Sequence, residues 1–130
     1  SLRTGTMEQA RILVADDEEG IRELLREQLN AAGYATDEAT DGAEAIDKLD
    51  HDTYDLAILD INMPKKSGLD VLKHIRDRQL KMGVIMLTGR LGFSVGSESM
   101  LLGADEYITK PFDLEYLELA IKKVLESGGK

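Results

Sequence analysis

Five polar residues follow apolar segments of the chain, each at the point where a segment ends. Asp16 and Asp17 follow residues 12–15, Asp60 follows 56–59, Thr88 follows 84–87 and Lys110 follows 107–109. If each segment is a parallel strand, its carboxyl end lies at the edge of an α/β sheet where ligands bind. The pattern therefore predicts that three carboxylates, a hydroxyl and an ammonium group meet at one edge.

Such a group of side chains is suited to phosphoryl transfer. Three carboxylates close together repel one another, so at least one has a raised pKa unless a cation binds between them. Hard oxygen ligands suit Mg²⁺, with Mn²⁺ as an alternative, and Mg²⁺, Lys110 and Thr88 would neutralise the oxygens of a phosphoryl group. A carboxylate can itself be the nucleophile. The chain has no cysteine and no glycine-rich phosphate loop, so Asp60 is the predicted nucleophile.

The elements that must position these residues alternate between strands and helices. The predicted strands are residues 12–15, 34–39, 56–59, 84–87 and 107–108. Apolar residues at helical spacing follow each of them except 84–87, after which GFSVGS at 92–97 is a poor helix former. Short apolar strands between amphipathic helices indicate a parallel sheet covered on both faces. The second strand is partly polar, which places it at an edge. We therefore expect an α/β fold, a flavodoxin-like five-stranded parallel sheet of order 2-1-3-4-5 with five helices on both faces.

Four motifs carry a resemblance to a known family. They are ILVADDE at 12–18, DLAILDINMP at 55–64 with Gly68, LTG at 87–89 and GADEYITKPF at 103–112. In this order and spacing they resemble the receiver domain of two-component response regulators. Gly89 stands where alanine is frequent, which is similar to nitrogen-regulation-type receivers that precede an ATPase output domain.

The resemblance implies that Asp60 accepts a phosphoryl group from the phosphohistidine of a sensor histidine kinase. Asp17 and Asp60 would bind Mg²⁺ directly, Asn62 would bind it through its backbone carbonyl, and Asp16 through a water molecule. Lys110 would contact the phosphoryl group, and the peptide bond between this lysine and the following proline would be cis. The domain would be a signalling module that catalyses its own phosphorylation and slow dephosphorylation.

Further positions of the family concern switching and the lifetime of the phosphoryl group. Thr88 and Tyr107 would form the switch pair, while Asn62 and Arg90 would flank the path of the hydrolytic water and tune dephosphorylation. Glycines and serines form helices poorly, so residues 89–100 are predicted to be marginal and to become ordered on phosphorylation. The fourth helix, fifth strand and fifth helix would then form a surface for a homodimer or another partner.

Two other functions explain part of this pattern. A small Mg²⁺-dependent phosphohydrolase also forms an aspartyl phosphate, but such enzymes usually carry an acid two residues after the nucleophile, where this chain has Asn62. An FMN-binding carrier needs a Ser/Thr/Gly-rich phosphate loop after the first strand, where residues 16–19 are acidic and would repel the phosphate. The sequence favours the signalling module, with the phosphohydrolase as the alternative.

Composition bounds the remaining possibilities. The 130 residues fit one domain. The net charge of −9 argues against direct nucleic-acid binding. The absence of cysteine excludes disulfides and fits a reducing compartment, and no apolar segment is long enough for a membrane span. We expect a cytoplasmic protein with no membrane contact.

The chain is expected to divide into three parts. Residues 1–10 would be a flexible lead-in, with Met7 as the candidate natural start. Residues 11–126 would be the receiver domain, and 127–130 a tail or a linker to a C-terminal output domain. His51 and His74 are expected to be surface residues without a chemical role.

Overall fold

A computed structural model describes residues 9–89 and 93–127 of the chain. Within them, five strands alternate with five helices: β1 Arg11–Ala15, α1 Glu19–Ala31, β2 Ala35–Ala39, α2 Gly42–His51, β3 Leu56–Asp60, α3 Gly68–Asp77, β4 Gly83–Thr88, α4 Phe93–Leu101, β5 Glu106–Thr109 and α5 Leu114–Ser127. Residues 1–8 and 128–130 of the expected end segments, and Arg90 and Gly92, lie outside the described residues.

All strand pairings are parallel, and the sheet order is β2-β1-β3-β4-β5, which confirms the expected fold class. Every residue of β3 and β4 is buried, because helices cover both faces of the central strands. β2 has the sequence ATDEA and is only partly buried, as the position at the edge requires. The strand ends differ from the predicted ones by one residue at most: β2 begins one residue later than predicted, and the other four strands extend by one residue at one or both ends.

Local signals explain where the helices begin and end. Asp41 caps α2 by accepting a hydrogen bond from the Glu44 amide, and Ser67 begins α3 with a reciprocal capping box. Gly33 follows α1 with a φ of 98°, a left-handed conformation that glycine adopts without strain. α4 forms at Phe93–Leu101 despite its glycine and serine content. None of the described helices is long and apolar enough to cross a membrane.

Two hydrophobic clusters hold the sheet from opposite faces. On one face Leu13, Leu59 and Met86 pack with residues of α2 and α3, and on the other Ile12 and Ile58 pack with residues of α1 and α5. Each fully buried aliphatic side chain stabilises the fold by about 1.5–3 kcal/mol. Because successive strand residues point to opposite faces, both clusters fix the same strands and hence the positions of their carboxyl ends.

A polar network joins β1, β2 and Tyr54, which lies two residues before β3. Tyr54 is a buried residue whose hydroxyl donates to Asp37 at 2.7 Å, and Arg11 forms an ion pair with the same carboxylate at 2.7 Å. The hydrogen bond from Tyr54, assisted by Arg11, holds the pKa of Asp37 below its ordinary value. This network therefore stabilises the edge strand at neutral pH.

His51 lies at the surface as expected, whereas His74 is less exposed than expected. His51 is exposed. His74 is half-buried, and its Nε2 lies 2.8 Å from Asp50 Oδ1, which also accepts a hydrogen bond from Arg78. Asp50 is 24 residues away in sequence, on the neighbouring α2. Spacing within a single helix could not reveal a partner of this kind, and the contact joins α2 to α3.

Candidate functional site

The structure brings the predicted residues to one edge of the sheet. Asp60 and Thr88 are the last residues of the adjacent strands β3 and β4, while Asp16 follows β1 and Lys110 follows β5. Oxygen atoms of Asp16, Asp17 and Asp60 all lie within 4.8 Å of one another. The parallel order of four neighbouring strands is what places these distant residues together.

Asp60 is a buried carboxylate in an acidic environment. It is 3% exposed, and its Oδ1 accepts a hydrogen bond from the Asn62 amide at 3.2 Å. Burial raises the pKa of Asp60 to about 6, and the charge of Asp16 adds to the effect, whereas Lys110 and the Asn62 amide oppose it. Ionised Asp60 is thus held in surroundings that favour a cation beside it.

Lys110 is the cation nearest to these carboxylates among the described residues. Its Nζ lies 2.9 Å from Asp16 Oδ2, 3.0 Å from Glu18 Oε1 and 3.6 Å from Asp60 Oδ2. Burial alone would lower the pKa of Lys110, but the ion pairs with Asp16 and Glu18 outweigh it and raise the pKa, so the ammonium stays charged. The peptide bond that follows Lys110 is cis, as the resemblance implied.

Glu18 is a member of this cluster that the strand-end pattern did not single out. It lies two residues beyond the first carboxylate, where α1 is about to begin, and its side chain is largely exposed. Its amide donates to Asp16 Oδ1 at 2.9 Å, and its carboxylate contacts Lys110. The acidic sequence after β1 was the available signal, but only the fold shows which of these acids reaches the lysine.

Asp16 and Asp17 differ sharply in their surroundings. Asp16 is buried, and its backbone and side chain are both engaged: its amide donates to Ala39 and its carbonyl accepts from Arg22. Asp17 is exposed, and no hydrogen bond or ion pair with another described residue holds its carboxylate. Asp17 therefore has free oxygen atoms for a ligand, whereas those of Asp16 already face Glu18 and Lys110.

Thr88 and Tyr107 lie on adjacent strands. Thr88 is fully buried, and its Oγ1 has no hydrogen-bond partner among the described residues. Tyr107 is half-buried and packs against the cluster that contains Met86, its neighbour in the strand pairing. An unpaired buried hydroxyl is unfavourable, so Thr88 is ready to bond an oxygen atom that arrives at this edge.

The loop after β3 is held close to the first turn of α3. The Gly68 amide donates to the Ile61 carbonyl at 3.0 Å, and a Cβ atom on Gly68 would collide with the Asp60 carbonyl. Asn62 lies in this loop with an exposed side chain. Gly68 thus permits the close approach of backbone segments that fixes the position of Asp60.

The acidic cluster can hold a metal ion. Asp16, Asp17 and Asp60 offer hard oxygen donors in one group. The carboxylate of Asp17 is free to bind a cation, and a cation would stabilise the ionised form of Asp60, whose pKa is raised. The donor set has carboxylates and no thiolate or imidazole, which suits Mg²⁺-like ions better than softer metals.

Comparison with known proteins identifies the class. The model of the family described as response regulator receiver domain matches residues 12–122. The chain belongs to this family. It is thus a receiver domain of the two-component response regulators, and it serves as a signalling module.

Individual relatives agree with this assignment. The chain is 40% identical over 112 residues to the transcriptional regulatory protein DltR of Streptococcus agalactiae, covering 86% of the chain and 50% of DltR. The CheY-like receiver domain protein of Methanospirillum hungatei matches with a TM-score of 0.87 at 30% identity, over 92% of this chain and 95% of that one. NtrX of Brucella abortus matches with a TM-score of 0.85 at 30% identity, over 92% of this chain and 27% of NtrX. The chain spans about half the length of the curated relatives it matches.

Proposed function

We propose that Asp60 is the phosphoacceptor of this receiver domain and that a sensor histidine kinase is its phosphodonor. The observation that carries the proposal is the buried Asp60 carboxylate at the end of β3, 3.6 Å from Lys110 and grouped with Asp16 and Asp17. In the reaction an Asp60 oxygen attacks phosphorus, the P–N bond of the phosphohistidine breaks and the imidazole leaves. The acyl phosphate remains on Asp60.

The metal in this proposal is Mg²⁺, with Mn²⁺ as a substitute. When bound, it would neutralise the carboxylates and the oxygens of the phosphoryl group. Asp17 and Asp60 would bind it directly, together with the backbone carbonyl of Asn62, and Asp16 would act through a water molecule. The free carboxylate of Asp17 supports this division, as does Asp16 Oδ1, which accepts a hydrogen bond from the Glu18 amide. Asp16 Oδ2 has no hydrogen bond among the described residues and lies in ion-pair contact with Lys110.

Lys110 and Thr88 would receive the phosphoryl oxygens. The Lys110 ammonium is charged and close to Asp60, so a small movement brings it to a new anion. The Thr88 hydroxyl lacks a partner among the described residues and would turn toward the new charge, which is about −1.5 to −2. That rotation would let Tyr107 move inward and complete the switch. Asn62 and Arg90 are proposed to tune the lifetime of the acyl phosphate.

The response would be read by other protein surfaces. We propose a C-terminal output domain, because the matched segment makes up only 50% of the curated relative DltR. α4, β5 and α5 would form a surface for a homodimer or another partner, since Leu101 and Leu119 are 88% and 65% exposed there. A cytoplasmic location follows from the proposed kinase and output domain.

Phosphorylation by acetyl phosphate tests the acceptor. Intact mass should show one added phosphate on the wild type with Mg²⁺, and none with EDTA or on Asp60→Asn. Asp77→Asn, at an exposed aspartate that no hydrogen bond or ion pair joins to the described residues, is the matched control and should label like the wild type. Equal labelling of Asp60→Asn would contradict the assignment. Rapid steady turnover of acetyl phosphate would favour the phosphohydrolase.

The ligand roles have a separate test. Asp17→Asn removes a proposed direct ligand, so it should weaken Mg²⁺ binding more than Asp16→Asn does. Titration of each ¹⁵N-labelled variant with MgCl₂ measures the affinity from amide shifts. A larger loss in Asp16→Asn would mean that the two roles are reversed.

A further inference from the structure

Arg22 connects the end of β1, the start of α1 and the edge strand β2. Its side chain is 13% exposed; Nη1 donates to the Asp16 carbonyl at 2.7 Å and Nε donates to Glu38 at 3.3 Å. A cation in the first turns of a helix is disfavoured by the helix dipole. Two good acceptors therefore hold the guanidinium in a place where the helix itself would not favour it.

The carbonyl that Arg22 binds belongs to the peptide unit between Asp16 and Asp17. On its other side the Asp16 amide is bonded to Ala39 at 3.1 Å, so β1 and β2 fix that end. The Asp17 side chain is exposed and has no partner among the described residues. The backbone is therefore what determines where the Asp17 side chain begins, and Arg22 helps to fix that backbone.

We propose that Arg22 is a positioning residue for the metal site. By holding the Asp16 carbonyl it orients Asp17 beside Asp60, and so it increases the affinity of the site for a divalent cation. The inference rests on the proposed function, because the divalent cation is the one proposed to assist phosphorylation of Asp60.

Charge and positioning predict opposite effects when Arg22 is replaced. The guanidinium is positive and repels a cation, so its removal would tighten metal binding if charge alone mattered. Loss of orientation would weaken binding instead. Arg26 is a matched control, since its Nη1 donates to the same Glu38 at 2.8 Å without contacting Asp16.

The test is a titration of ¹⁵N,¹³C-labelled protein with MgCl₂, followed by the amide resonances of residues 15–20. We expect Arg22→Gln to weaken Mg²⁺ binding about tenfold, as loss of an outer contact to a metal ligand does. Arg26→Gln should bind as the wild type does, or slightly more tightly. Without metal, the Asp16 carbonyl resonance should move in Arg22→Gln and stay in place in Arg26→Gln. Urea midpoints of both variants show whether stability accounts for the difference.

Two results would overturn the proposal: unchanged or tighter Mg²⁺ binding by Arg22→Gln, or equal weakening by both variants. If Arg22→Gln does not fold, Arg22→Lys serves in its place, because it keeps the charge but lacks the guanidinium that spans both acceptors. Binding by Arg22→Lys as tight as that of the wild type would likewise contradict the role. A wild-type domain that binds no Mg²⁺ would instead contradict the proposed function itself, and this inference with it.

Discussion

Replacing Asp60 by asparagine should stabilise the metal-free domain at neutral pH. Asp60 is buried beside Asp16, and this environment opposes its ionisation. Asparagine has the same shape, can still accept the hydrogen bond from the Asn62 amide and carries no charge. A substitution at the proposed acceptor would therefore abolish phosphorylation and strengthen the fold.

The size of the effect follows from the pKa of Asp60. It is about 6 in the folded protein against the ordinary 3.8, and a difference of about two units corresponds to about 3 kcal/mol. Because the folded pKa is raised, protonated Asp60 contributes stability that is fully present below about pH 4 and is lost as the pH rises through about 6. The advantage of Asp60→Asn should be about 3 kcal/mol at pH 7.5 and about half of that at pH 5.

Urea unfolding in EDTA, followed by far-UV circular dichroism at the two pH values, measures this difference. Carboxylates outside the cluster titrate equally in both proteins, so the pH dependence of the difference in unfolding free energy reports Asp60 and the groups coupled to it. Asp77→Asn is the control, and it should leave the free energy of unfolding nearly unchanged at both pH values. Added Mg²⁺ should narrow the gap at pH 7.5 because the cation relieves the repulsion in the wild type.

Two outcomes would refute this reasoning. If Asp60→Asn is no more stable than the wild type at pH 7.5, then Lys110 already compensates the buried charge and the pKa is not raised. If the gap exists but stays constant from pH 7.5 to pH 5, the gain comes from packing or hydrogen bonding and not from ionisation.

The remaining predictions concern packing and the polar network. Gly68→Ala should destabilise the domain by about 1–3 kcal/mol, because the added methyl group collides with backbone of the loop after β3. Gly20→Ala, in a helical position with open space, should stabilise it by about 0.5–1 kcal/mol. Tyr54→Phe should cost about 1 kcal/mol at pH 7 through the lost hydrogen bond to Asp37, with a smaller loss as the pH falls through the lowered pKa of that carboxyl. Tyr116→Phe, at an exposed position, is the control. Urea unfolding measures all four, and equal effects within either pair would contradict the contact assigned to it.

The fold could be predicted because its main signal is local. Short, fully apolar segments such as 56–59 between amphipathic helices indicate central strands in a sheet covered on both faces, and the polar ATDEA segment indicates an edge strand. The gathering of Asp60, Thr88 and Lys110 then follows from parallel topology. The sequence could therefore indicate where the candidate site lies before any distance was known.

Contacts between distant side chains could not be predicted in the same way. Nothing in the spacing of residues shows that Glu18 reaches Lys110, that His74 pairs with Asp50, or that Arg22 bonds the Asp16 carbonyl. Each of these depends on how far a long side chain extends and on which neighbour the packing brings near. α4 forms at Phe93–Leu101, and the ordering of residues 89–100 on phosphorylation stays a prediction.

The position of the acidic cluster links the stability of the fold to its proposed use. Packing on both faces of the sheet fixes the ends of β1 and β3, so Asp16 and Asp60 cannot move apart to relieve their repulsion. The apolar core thus maintains an unfavourable charge arrangement at the edge of the sheet. A cation or a rearranged Lys110 would relieve that repulsion. The proposed phosphoryl group would add negative charge beside the Thr88 hydroxyl, which has no hydrogen-bond partner among the described residues. Because packing on both faces holds the strands in place, side chains and loops at the edge must move to accommodate these changes. These surface elements are the ones that a partner protein can contact, so a change in their conformations can be transmitted as a signal.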